Sequence, residues 1–120
     1  MTFRNRIVAN ALALVFVSSS GFAESPDPEM KLDEGLKRFG YLAGLARGCV
    51  ADDQRPSLER EAVDLHGGIG RLLGTDRAFL FAAAFGNGTS VILEVSECKE
   101  VLERYETRVE DFRRNRGSVQ

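Results

Sequence analysis

Few side chains in this sequence are of types that do chemistry, and their spacing does not assemble a site. His66 is the only imidazole. A histidine acts as a general base when a nucleophile or acid partner stands within hydrogen-bond reach. No pattern around Leu65-His66-Gly67 supplies one, and the residue reads as a helix-end or surface group. Asp52 and Asp53 are adjacent, while Asp64 stands apart. Glycosidases use paired carboxylates across a cleft in a larger scaffold, whereas Asp-Asp in a polar stretch reads as a turn. A calcium loop needs alternating oxygen ligands around a glycine and a closing glutamate, and none is spelled out. Gly67-Gly68-Ile69-Gly70 lacks the Gly-Lys-Ser/Thr ending of a phosphate loop, has no strand before it, and misses G-x-G-x-x-G spacing. These glycines are expected to form a hinge or tight turn. Arg113, Arg114 and Arg116 fit the negative end of a helix better than nucleic acid. A C-x-x-C-H haem attachment is absent. With one histidine and two cysteines, zinc fingers and multi-histidine metal sites are excluded. The sequence therefore reads as non-enzymatic, with no catalytic residues, no metal and no cofactor expected.

The two cysteines have a different use. Cys49 and Cys98 lie 49 residues apart, with no C-x-x-C redox spacing. The N-terminus reads as a secretory signal. Arg4 and Arg6 form a basic start, Ile7 to Val17 is an apolar run, and Gly21-Phe22-Ala23 presents small residues before a cut after Ala23. The apolar run is too short for a membrane span, which takes roughly 20 residues. Export places the chain in the periplasm of a Gram-negative bacterium or outside the cell, an oxidising setting in which Cys49 and Cys98 are expected to pair. Loss of Arg4 and Arg6 with the leader moves the net charge from −2 to −4. No basic field draws the mature chain to nucleic acid, and no stable membrane span is expected in it.

These residues need elements to hold them. Hydrophobic residues make up 43% of the 120-residue chain and charged residues 28%, the composition of one small globular domain. Residues 1–23 are assigned to the signal, 24–29 to an extended lead, 30–116 to a single helical domain, and 117–120 to a flexible tail. A first helix is predicted over Met30–Val50, with Leu32, Leu36, Phe39, Ala43, Ala46 and Val50 on one face. Gly40, Gly44 and Gly48 form a G-x-x-x-G-x-x-x-G ridge on it, read as close packing against another helix or as an interface for a partner. Arg38, Arg47 and neighbouring charges exclude a membrane setting for that ridge. A second helix is predicted from Ser57 to about His66, then a looser turn or short helix to Leu73, closed by Gly74. A third starts at Thr75-Asp76 and is apolar nearly all round from Phe79 to Phe85, so it is expected to be central. Gly86-Asn87-Gly88 is expected to stop it. Ser90–Val95 is expected to be a buried extended connector or the first turn of a last helix. That last helix spans about Ser96–Arg114, with Glu100–Arg104 and Glu110–Arg114 pairs.

The fold class predicted is all-α, a bundle of three to five helices with one disulfide. Three functions fit such a domain. The first is contact with a protein of the cell envelope, as an accessory or regulatory module. The second is acid-stress chaperoning. The stretch Phe79-Leu80-Phe81-Ala82-Ala83-Ala84-Phe85-Gly86, followed by Cys98-Lys99 and a charged helix, resembles in outline the second half of the small periplasmic acid-activated chaperones. The first half departs from them, since Cys49 ends a helix and no aromatic segment follows it. That resemblance implies exposure of the Phe79–Phe85 surface when carboxylates neutralise. The third is binding of a small apolar ligand among Phe39, Tyr41, Phe79, Phe81, Phe85 and Tyr105.

Overall fold

A computed structural model describes the backbone of residues 27–119 and the side chains of residues 27–115. The expected signal, with its expected cut after Ala23, lies outside the described residues. Among those described there are four α-helices and no strand. They are α1 (Pro28–Arg47), α2 (Arg55–Leu73), α3 (Thr75–Thr89) and α4 (Cys98–Val119), with single 3-10 turns at Asp52–Gln54 and Val95–Glu97.

The helix ends correct several sequence expectations. α1 begins at Pro28, inside the expected extended lead, because Asp27 caps it by accepting from the Glu29 amide at 3.3 Å. Proline suits this first turn, where its missing N–H would have no partner. α1 ends at Arg47, before the predicted Val50, with Gly48 as its cap. α2 starts at Arg55 with Pro56 in its first turn, rather than after Ser57. It runs without a break through Gly67, Gly68 and Gly70, so the expected hinge is helix instead. Packing overrides propensity there. Leu65, Gly68 and Ile69 are buried, and a methyl at Gly68 would lie 3.3 Å from the Phe112 ring. Gly74, at φ +102°, makes the turn into α3.

α3 continues through the expected stop at Gly86-Asn87-Gly88 to Thr89. It is also one-sided rather than apolar to the core all round. Ala78, Phe81, Ala84 and Gly88 face inward, while Phe79, Ala82, Ala83 and Gly86 face out. α4 follows a 3-10 turn in which Glu94 and Glu97 cap one another's backbone. Its backbone stays helical to Val119, where a flexible tail was expected. Arg114 pairs with Asp111 at 3.1 Å instead of Glu110, and Arg104 meets Glu100 at 3.8 Å.

Phe39 on α1 is the hub of the core. It meets Phe81 of α3 edge-on at 5.2 Å between centroids, and Tyr105 and Phe112 of α4 at 6.5 and 6.2 Å. Phe39, Phe81 and Ile69 are the largest fully buried side chains. Among the described residues three ion pairs join helices: Asp33–Arg77 at 2.9 Å (α1–α3), Glu59–Arg47 at 3.0 Å (α2–α1) and Glu61–Arg113 at 3.1 Å (α2–α4). The Cys49–Cys98 disulfide ties the end of α1 to the start of α4, with Cα atoms 5.3 Å apart, inside the usual range.

Candidate functional site

The glycine ridge is divided between two roles. Gly40 and Gly44 are buried where α1 crosses α3. A methyl at Gly40 would overlap the Phe81 carbonyl. One at Gly44 would overlap the Phe85 carbonyl and lie 2.8 Å from both Gly88 Cα and the Thr89 amide nitrogen. From the other side, a methyl at Gly88 would overlap the Tyr41 carbonyl and lie 2.9 Å from Gly44 Cα. Every obstacle is backbone or a short Cβ, so neither helix can yield by turning a side chain. Here the close approach is made by α3 of the same chain, and Gly40 and Gly44 present no surface to a partner. Gly48 is exposed at the end of α1 and outside this seam. Gly67, Gly68 and Gly70 lie along α2, with Gly70 facing the Ala78 methyl.

The chemistry-bearing residues remain separate. His66 and Asp64 are exposed on α2, and Asp52 pairs with Arg55 at 3.1 Å. Among the described residues, no group of three or more His, Cys, Asp or Glu is placed to hold a metal. The six aromatics do not share a cavity. Phe39, Phe81 and Tyr105 are core, Phe79 is 67% exposed, and Tyr41 is exposed on α1. Tyr105 donates its hydroxyl to Glu61 at 2.8 Å. Burial and the neighbouring Glu61 carboxylate hold its proton far more firmly than in a free tyrosine. That hydroxyl is a clamp between α4 and α2.

Two surface features emerge that the sequence reading did not single out. The first is the connector from α3 to α4. It was expected to be buried, yet Ile92 is 97% and Val95 90% exposed, and Val91 is exposed beside them. This segment is pinned at both ends. It leaves α3 beside the Gly44–Gly88 crossing and enters α4 at the disulfide. Ser90 closes α3 by donating its hydroxyl to the Asn87 carbonyl at 2.7 Å.

The second is an open groove of about 850 Å³ between α1 and α4. The two helices run antiparallel, since the disulfide joins the end of one to the start of the other and Arg108 donates to the Gly35 carbonyl at 3.2 Å. Arg38, Tyr41, Leu42 and Leu45 of α1 line it, with Glu103, Arg104 and Arg108 of α4 across from them. The arginines converge from positions 38 and 104–108, a separation no local motif reveals. No helix of the described residues is long and apolar enough to cross a membrane. In comparisons with protein-family models, curated proteins and solved structures, nothing matches this chain.

Proposed function

We propose that this protein is exported and acts by contact with another protein of the cell envelope, through the connector between α3 and α4. The observation that carries this reading is the pair Ile92 and Val95, each at least 90% exposed on a segment fixed by a helix crossing at one end and a disulfide at the other. Burying one such side chain against a partner is worth about 1.5–3 kcal/mol. A short segment pinned at both ends also loses less conformational entropy on binding than a free one. Single exposed apolar residues are common on protein surfaces. Three β-branched residues in one pinned stretch of five are a small binding epitope.

The test is Ile92→Asp with Val95→Asp in the mature, oxidised protein. Neither side chain supports the core, so the thermal midpoint should stay within a few degrees of wild type. Co-fractionation of the native protein with an envelope partner should be lost. Unchanged co-fractionation refutes the reading.

A second reading, acid-activated chaperoning, draws on one observation: each of the three ion pairs joining helices depends on a single carboxylate, Asp33, Glu59 or Glu61. Neutralising any one of these carboxylates removes the pair it makes. This reading expects hydrophobic-dye binding with retained helicity in acid, together with suppressed client aggregation. It fails if acid produces neither.

A further inference from the structure

We infer that the groove between α1 and α4 receives an acidic, amphipathic segment of a partner protein; this rests on the contact reading above and names the chemistry of the partner.

The argument begins with charge. The mature chain carries a net negative charge, yet this groove is lined by Arg38, Arg104 and Arg108 against one acidic residue, Glu103. Arg104 and Arg108 are one helical turn apart on α4, a like-charge spacing that weakens a helix by a few tenths of a kcal/mol. Arg38 faces them from α1. Among the described residues little offsets this. Arg38 donates to the Glu34 carbonyl at 3.4 Å, and Arg104 meets Glu100 only at 3.8 Å. Arg108 stacks over the Phe39 ring at 5.1 Å and donates to the Gly35 carbonyl. That holds its guanidinium in place while leaving further N–H groups to donate. Arginine in this setting favours carboxylate oxygens, which it can meet with two parallel bonds.

Shape selects the kind of anion. Ligand pockets for small molecules enclose most of the ligand's surface. This groove is open along one side, and four of its nine lining residues are charged, so a small amphiphile would remain largely in water. A peptide segment lying along the groove keeps its own outer face solvated. Its apolar residues would meet Leu42 and Leu45, and its carboxylates would meet the arginines.

The experiment uses the mature, oxidised protein and two labelled synthetic helical peptides. Both carry leucine along one face. One has glutamate flanking that face and the other has lysine. Fluorescence anisotropy at low and physiological salt reads the affinity. The glutamate peptide should bind at least tenfold tighter than the lysine peptide, with affinity falling as salt rises. Arg104→Glu, at a side chain 69% exposed and remote from the core, should weaken it about fivefold. Arg38→Glu should do the same. The double variant should reverse the preference and favour the lysine peptide, an outcome a purely structural role for these arginines cannot produce. Equal binding of the two peptides, or an unchanged preference in the double variant, overturns the inference. Saturable binding of dodecanoate with none of the glutamate peptide also overturns it, in favour of an amphiphile. If the peptides fail while the connector variants still abolish partner co-fractionation, this inference falls and the contact reading stands.

Discussion

A single methyl group placed at Gly44 or at Gly86 should move stability in opposite directions. Both positions are glycines inside a helix, and alanine is favoured over glycine there by about 1 kcal/mol. At Gly86 nothing lies within 4 Å of the added carbon, so Gly86→Ala should gain close to that full amount. At Gly44 the new carbon would overlap the Phe85 carbonyl and lie 2.8 Å from Gly88 Cα and Thr89 N, where ordinary contact begins near 3.4 Å. The obstacles are backbone, so α1 and α3 must separate by more than half an ångström. A gap of that size forfeits roughly a quarter to a half of each contact's attraction along the seam. Overpacking of this kind costs typically 1–3 kcal/mol, and the packing of Phe39 on Phe81 adds to the loss. After the gain in helix propensity, Gly44→Ala should destabilise the fold by about 2 kcal/mol. For a domain of this size, about 1 kcal/mol corresponds to roughly 4–8 °C in thermal midpoint. Urea and thermal unfolding of the oxidised protein, followed by circular dichroism, read both variants. A neutral or stabilising Gly44→Ala would refute the backbone seam, because it would mean the helices part without loss.

Three further outcomes follow from the same geometry. Replacing Cys49 and Cys98 by serine opens a loop of 49 residues; chain-entropy estimates put the loss at roughly 4 kcal/mol, measurable as the difference between the oxidised protein and the double variant in urea. Tyr105 keeps its proton in the folded state well above the ordinary value of 10.0. Above pH 10 the unfolded chain loses that proton and the folded one does not, so stability should fall as pH rises. Tyr105→Phe should lose about 1–2 kcal/mol at neutral pH through the Glu61 bond and flatten that alkaline slope; an unchanged slope would place its cause elsewhere. Gly67→Ala and Gly70→Ala should raise helicity and stability by up to about 1 kcal/mol each, since a methyl at either meets only Arg71 or the Ala78 methyl at 3.3–3.6 Å. A loss of stability at either would revive a bend in α2.

The helices were legible because their apolar residues recur at helical spacing, and the pairing of Cys49 with Cys98 followed from their isolation in the sequence. The errors share a physical cause. Pro28 falls in the expected extended lead, Gly67–Gly70 in the expected hinge and Gly86–Gly88 in the expected stop. A proline in a first turn costs nothing, and a glycine's penalty of about 1 kcal/mol is outweighed when its missing side chain admits a neighbour. Gly88 against Tyr41 and Gly68 against Phe112 are such places. Composition places Phe79 in the core, because periodicity cannot rank faces when nearly every residue of a stretch is apolar. Ile92 and Val95 were expected inside for the same reason. The arginine groove lies beyond local reading altogether, since Arg38 shares it with Arg104 and Arg108 only after α4 has folded back antiparallel along α1.

The central claim is that the connector is a binding epitope, and photo-crosslinking in living cells tests it most directly. A photoactivatable residue at position 92 of the exported protein should capture one dominant envelope protein at neutral pH. Adding Val95→Asp to the same chain should remove that adduct. Many unrelated proteins captured only in acid, or no adduct at either pH, would contradict the account.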